Sequence, residues 1–470
     1  MEQYIIVDPG IIPIKYVLES ISDSPYSVVV IGGEKSVSNI KGKADCRCYN
    51  YDYFKSAIVP IPKSSKAKQH YNKVFADVIS DYKTLQIAER CNPRIQLWEN
   101  EFKDLILISK LVSGYLDVIC STKPVFVYFH STPHEICSWT LGKVADSMGI
   151  PVYTTITTPL PWKSMLRVGL GNSELVPIQN VGIEDINDDY ADRYYNSNLK
   201  KYDEAIPSYE KERIEARKGN FWSWKKEFIN SFKFKGFKSF IYHFYAIFRK
   251  HSLFKYYQSL ADNSLDLTNK FIVVFLHYQP ERTSLPEGRF FTQQYHLIKT
   301  IRMALPDDYS IYVKEHPSMF VNDMDLRYRD KTFYKDLVSL PNVKLVNIGI
   351  DSFSLIDKSV CIATITGTVG IQSFIRGKSV LCFGDASFVN FKHCYCINSV
   401  EDVQKAINSI SSIDSNTITD DFHLYLHDVD RHSLSGITDN ELGDFYNQTY
   451  RLNSGGKVMY YLLCKHKLNI

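Results

Sequence analysis

The sequence lacks most of the features that would assign a class at once. It has no run of about 18 apolar residues, so no membrane-spanning helix is expected. Met1-Glu-Gln-Tyr-Ile-Ile-Val7 has no basic start and passes directly into strand-like sequence, so no signal peptide is expected either. There is no Walker sequence and no GxGxxG fingerprint. A formal net charge of +3 is too small to argue for nucleic acid as a partner. The ten cysteines follow no repeating frame. Their close pairs, Cys46-Arg-Cys48 and Cys394-Tyr-Cys396, leave too few residues between them for a zinc knuckle, and His393 beside Cys394 does not change that. Free thiols in a reducing cytoplasm are the expectation. No metal site is expected: Asp428-Val-Asp430 follows no strand.

What is present is an ordinary globular composition, 44% hydrophobic and 23% charged, over 470 residues. That length suits two or three domains. The first part alternates strands and helices. Tyr4–Val7 and Ser27–Ile31 read as strands with a short helix between them at Ile11–Ile21, and Lys66–Cys91 and Glu101–Ile119 as helices. Pro124–Phe129, His134–Met148 and Ile150–Tyr153 then read as one βαβ unit. In the second half, strands are expected at Phe271–Leu276, Ser310–Val313, Val343–Val346, Val360–Ala363 and Val380–Phe383, with helices at Thr292–Leu305, Val369–Arg376 and Val400–Ile410. The predicted fold class is α/β, with two doubly wound Rossmann-like domains. The expected organisation is an N-terminal domain over 1–172, a helical insertion or linker over 173–269, a C-terminal domain over 270–412 and a helical tail over 413–470.

Within 173–269, the stretch Phe221–Tyr257 holds eight Lys or Arg against one acid, Glu227, with fifteen interleaved aromatics. That composition suits an interfacial helix on an anionic membrane leaflet, with stacking on bases or packing onto the domains as competing uses.

Chemistry is expected where apolar strands break into polar sequence, because open α/β sheets bind ligands beyond the carboxyl ends of their strands. Ser310–Val313 breaks into Lys314-Glu-His-Pro317, which delivers a cation, a carboxylate and an imidazole together. His316 can donate to a phosphate or stabilise a leaving nucleotide, and Pro317 stops the strand. Thr364-Ile-Thr-Gly-Thr-Val-Gly-Ile-Gln-Ser373 repeats the pattern as strand, hydroxyl and glycine turn, then helix. There Thr366 and Thr368 supply hydroxyls, and Gly367 and Gly370 permit close backbone approach. The loop His277-Tyr-Gln-Pro-Glu-Arg-Thr-Ser-Leu-Pro-Glu-Gly288 is stiffened by prolines. Glu281 suits a sugar hydroxyl, and Arg282 and Thr283 suit phosphate. In the first half, Tyr128-Phe-His-Ser-Thr-Pro-His-Glu135 offers Glu135 or His134 as a general base, although Thr132 to Glu135 also matches a capping box. Asp8, after the first strand, is the second candidate base.

These motifs resemble bacterial surface-polysaccharide glycosyltransferases of the GT-B kind, above all capsule and lipopolysaccharide enzymes that use CMP-activated Kdo or sialic-acid-like sugars. Tyr278–Gly288 (with Gln279), Val313-Lys-Glu-His-Pro317 and Thr366–Ser373 carry the resemblance, over roughly the segment from Lys270 to Asp385. It implies two domains facing a cleft, a metal-independent transfer with no cofactor beyond a nucleotide-sugar donor, and a glycan or glycolipid acceptor. It further implies a cytoplasmic enzyme, peripheral on the inner membrane. His316 and Pro317 would contact the CMP phosphate, joined by Thr366 to Thr368. Gln372 stands where such enzymes often carry a ribose-binding Glu, beside Ser373. A UDP-sugar transferase, a nucleotide-sugar 2-epimerase and a non-enzymatic assembly factor are the competing readings.

Overall fold

The computed structural model describes residues 3–8, 26–37, 46–56, 61–91, 101–160, 163–170, 175–176, 190–199, 237–320 and 328–435. The chain divides into two compact units, Met1–Ala191 with Leu426–Ile470, and Asp192–Tyr425. The predicted helix at Ile11–Ile21 lies outside the described residues, as do 221–236 of the basic and aromatic stretch.

In the first unit β1 (Gln3–Asp8), β2 (Tyr26–Gly32), β3 (Cys46–Asn50), β4 (Val127–Phe129) and β5 (Val152–Thr157) form a parallel sheet in the order 3-2-1-4-5. Ile5 to Val7 and Val28 to Ile31 are buried, as continuous apolar runs must be when helices cover both faces. The antiparallel β6 (Lys163–Val168) extends the sheet beyond β5 and pairs with β7 (Leu175–Val176). Neither β3 nor β6 is among the predicted strands. Helices α1 (Ser65–Ser80), α2 (Tyr82–Cys91), α3 (Glu101–Thr122) and α4 (Ile136–Ser147) complete the layers.

The expectation that no segment is long and apolar enough to cross a membrane needs correction, because Lys103–Thr122 within α3 is. Half of that window is buried, with Ile108, Leu111, Val112, Tyr115 and Leu116 fully enclosed, as in the core helix of a globular unit.

The second unit has six parallel strands: β8 (Phe271–Phe275), β9 (Ser310–Lys314), β10 (Val343–Leu345), β11 (Cys361–Thr364), β12 (Val380–Cys382) and β13 (Cys394–Cys396). Their order, β10-β9-β8-β11-β12-β13, is 3-2-1-4-5-6 counted within the unit. That is the dinucleotide-binding order, with its switch point between β8 and β11. Around it lie α5 (Phe237–Leu260), α6 (Gln294–Ala304), α7 (Lys331–Ser339), α8 (Ser352–Lys358), α9 (Val369–Ile375) and α10 (Val400–Ile410). The last is closed by a capping box between Ser399 and Asp402.

The end of α5 belongs to this core: Leu253 and Tyr257 are buried against Ile311, Phe320 and Tyr334. Lys250, one of the basic residues counted toward a membrane face, is buried and donates to the Met319 carbonyl at 2.7 Å.

Candidate functional site

The switch point of the second sheet is closed by His277, the second residue after β8. Its backbone N–H donates to Gln294 Oε1 at 2.8 Å, and its carbonyl accepts from Gln294 Nε2 at 3.1 Å. That two-way clamp fixes where the imidazole points. Its Nε2 accepts the backbone N–H of Thr366 at 3.1 Å and lies 3.1 Å from the Thr364 hydroxyl, both at the end of β11. A ring nitrogen that accepts from an N–H carries no proton, so His277 is neutral with its proton on Nδ1. Burial depresses its pKa to about 3, with the nearby His316 and Arg329 adding to the effect.

The turn after β11 is drawn tight. Gly367 N–H donates to the Thr364 hydroxyl at 3.2 Å. A Cβ on Gly367 would meet that hydroxyl at 2.8 Å and His277 Nε2 at 3.3 Å, so glycine is required here by close approach. Thr366 Oγ1 donates to the Thr283 carbonyl at 2.9 Å and ties the proline-rich loop onto the turn. Thr368 is the exposed N-cap of α9 and makes no side-chain cap bond. Gln372 is half-buried on that helix, whereas Ser373 is fully buried and donates to the Val369 carbonyl at 2.7 Å.

The end of β9 supplies the charge. Lys314 is buried, donates to Ser352 Oγ at 2.8 Å and to the Ile350 carbonyl, and has its pKa lowered to about 8 by burial, against the pull of Asp351. Most of it is still protonated at neutral pH. His316 is half-buried, and its Nδ1 accepts the Ser318 N–H at 3.2 Å, so the neutral ring is a donor at Nε2. Its ring lies 6.2 Å from that of Tyr278, and Pro317 opens the short 3-10 turn behind it.

Glu315, predicted alongside them as a ligand contact, sits differently. Its side chain is 0% exposed and both oxygens are engaged within the protein. Oε2 accepts from Arg329 Nε and from the Tyr334 hydroxyl, each at 2.8 Å, and Oε1 accepts the His316 N–H at 2.8 Å. Arg329 also donates to Gln279 Oε1 at 2.8 Å and to the His277 carbonyl at 3.4 Å. Gln279 is buried as well and donates to the Thr292 carbonyl at 2.9 Å. Glu315 and Gln279 therefore hold the loops that present His316 and His277. Glu281 is exposed and accepts from Thr283 Oγ1 at 2.8 Å, and Arg282 pairs with Glu287 at 3.4 Å. Sequence reasoning missed His277 as a site residue, and with it Arg329 and Tyr334.

In the first unit, Asp8 ends β1 at that sheet's own switch point, between β1 and β4. It is buried and accepts from the Tyr51 hydroxyl, while its carbonyl accepts the His130 N–H at 3.2 Å. Burial and the Asp8 charge push the Tyr51 hydroxyl well above its usual range, so it stays a donor. His130 Nε2 lies 3.2 Å from Ser131 Oγ. Glu135 is exposed and is itself the N-cap of α4, without a side-chain cap bond, so the capping box expected from Thr132 does not form. His134 is held through its Nδ1, 3.1 Å from the Thr132 carbonyl.

Comparison with known proteins agrees with the motif resemblance. The family described as capsule polysaccharide biosynthesis protein matches residues 287–391, under a quarter of the chain, and that span includes the ends of β9 and β11. No curated protein matches the chain. Among solved structures, the chain is similar to the KpsC beta Kdo 2,7 transferase of Thermosulfurimonas dismutans, at 12% identity over 62% of this chain and 78% of that one, with a TM-score of 0.27. It is similar to the UDP-GlcNAc 2-epimerase of Methanocaldococcus jannaschii at 12% identity over 98% and 99%, with a TM-score of 0.24. Overlap this low carries no weight for function, and the fold assignment rests on strand order.

Proposed function

We propose that this protein is a metal-independent glycosyltransferase of surface-polysaccharide synthesis, acting in the cytoplasm. Its second unit would bind a nucleotide-activated donor, a CMP-linked acidic sugar of the Kdo or sialic-acid kind. Its first unit would bind a glycan or glycolipid acceptor. The observation that carries this reading is the convergence of the ends of β8, β9 and β11 on one switch point. The Thr366–Gly367 turn, whose Thr366 N–H is held by His277, and the strand-end residues Lys314 and His316 all fall within the span matched by the capsule family.

Negative charge accumulates on the nucleotide phosphate as the bond to the sugar breaks. A cation and an imidazole N–H donor at strand ends favour that charge over the ground state. The acceptor hydroxyl needs a base. Asp8 is the better placed of the two candidates, being at a switch point and held by Tyr51, while Glu135 stands in solvent.

The test is calorimetric titration with CMP, UDP and GDP of the wild-type protein and of His316→Ala. Selective CMP binding, weakened roughly 10- to 100-fold by the substitution, is the expected result, since one charge-assisted hydrogen bond contributes about 1.5–3 kcal/mol. Preference for UDP would replace the CMP assignment with a UDP-sugar enzyme. Absence of binding to all three would overturn the nucleotide site.

A further inference from the structure

A cation in the first sheet is buried without a counterion. Arg167 stands on β6 and is 5% exposed, and its Nε is sealed from solvent with no hydrogen-bond partner. Among the described residues the guanidinium has no hydrogen-bond or ion-pair partner at all. Lys163, four residues earlier and so on the same face of the strand, is about as deeply buried but lies 2.5 Å from Asp430 Oδ1. A guanidinium keeps its charge, and enclosing a charge without a partner is costly. One of the two cations on this face is matched within the chain and the other is not.

Sheet register fixes what shares that face with Arg167. Residues paired across neighbouring strands put their side chains on one side of the sheet. Arg167 pairs with Thr154 on β5, Thr154 with Phe129 on β4, and Phe129 with Asp8 on β1. These four residues form one row, which crosses the sheet where β1 and β4 end. Open α/β sheets take their ligands at that end. The unmatched cation therefore stands on the same face as the candidate base Asp8, three strand spacings away, roughly 14 Å between backbones. Phe129 and Thr154 lie between them, both buried and uncharged.

We propose that Arg167 binds an oxyanion of the acceptor, a carboxylate or a phosphate monoester, in the first unit. The inference rests on the acceptor role proposed for that unit. The planar fork of a guanidinium offers two parallel N–H donors that match two oxygens of either group. The bound anion supplies the counter-charge that the chain does not. It also fixes one end of the acceptor while a hydroxyl further along reaches Asp8. A neutral glycan would leave the cation unmatched, so Arg167 selects acidic or phosphorylated acceptors over neutral ones.

The test uses the full-length protein in chloride buffer at fixed ionic strength, with inorganic phosphate and D-glucuronate as probes and thermal unfolding as the readout. At least one probe is expected to raise the wild-type midpoint saturably, because a ligand that binds only the folded state stabilises it by mass action. In Arg167→Met its affinity should fall about 10- to 100-fold, as expected when charge-assisted hydrogen bonds are lost. A response to glucuronate alone assigns a uronic-acid acceptor, and a response to phosphate alone assigns a phosphorylated one. Equal stabilisation of both proteins is a general salt effect and overturns the proposal, as does no stabilisation of the wild type. Urea unfolding without probe separates a ligand role from a structural one. Arg167→Met should unfold at the same urea concentration as the wild type or a higher one, since no protein partner is lost. A clearly lower midpoint would reveal a partner within the chain and overturn the proposal. CMP titration of the same wild-type sample reads the second unit separately, so failure of the donor site and failure of the anion site are told apart.

Discussion

Arg329→Met is expected to destabilise the second unit by about 3–5 kcal/mol, the cost of leaving one buried charge without its partner. The Arg329 and Glu315 side chains are 2% and 0% exposed, and their Nε–Oε2 contact is 2.8 Å. With the guanidinium removed, the Glu315 carboxylate would keep only the Tyr334 hydroxyl and the His316 N–H, both neutral donors. The Gln279 side chain and the His277 carbonyl would lose a donor as well. Urea unfolding reads the loss directly. The double variant Glu315→Gln/Arg329→Met should recover a large part of it, because glutamine still accepts from Tyr334 and carries no charge to bury. A loss below about 1 kcal/mol in the single variant would show that the pair is solvated rather than sealed in the core.

That network also marks the limit of what the sequence disclosed. The strands β8, β9, β11 and β12 were legible because each is a continuous apolar run, the signature of a strand buried on both faces. His316 and Thr366 were legible because they stand where such runs end. Arg329 was not, since its partners lie 14, 50 and 52 residues away along the chain and no local pattern links them. The same holds for His277, whose role depends on the fold placing β8 beside β11. Strands β3, β6 and β13 were missed for a different reason. β3 and β13 are short edge strands of polar or thiol-bearing sequence, and β6 carries Lys163 and Arg167. A run such as Cys394-Tyr-Cys396 reads as a cysteine pair before it reads as a strand. Glu135 shows how a local signal can mislead: the Thr132–Glu135 spacing fits a capping box, but the helix begins one residue after Glu135, not at Pro133.

His277→Gln is expected to flatten the loss of stability at acid pH. The histidine titrates at about 3 in the fold and at about 6.5 in the unfolded chain. As pH falls below about 6.5, the unfolded chain therefore takes up a proton that the folded protein refuses, and stability drops by roughly 1.4 kcal/mol per pH unit until pH approaches 3. Its contribution is fully present above about pH 7 and declines below it. Between pH 7 and pH 5 the wild type should lose about 2 kcal/mol more than the glutamine variant, on the order expected for one group with this shift. Other acid-titrating groups are common to both proteins and cancel in the comparison. Glutamine suits the test because its Oε1 can accept the Thr366 N–H without titrating. Equal acid losses in the two proteins would mean that the folded state accepts the proton, which is incompatible with an Nε2 that receives the Thr366 N–H. Protonation places a second donor against that N–H, so the Thr366–Gly367 turn would have to move away from β8. Donor-nucleotide affinity should consequently fall with pH in the wild type over the same window, and fall less in the variant, because the imidazole that limits acid stability also holds the turn proposed to bind phosphate.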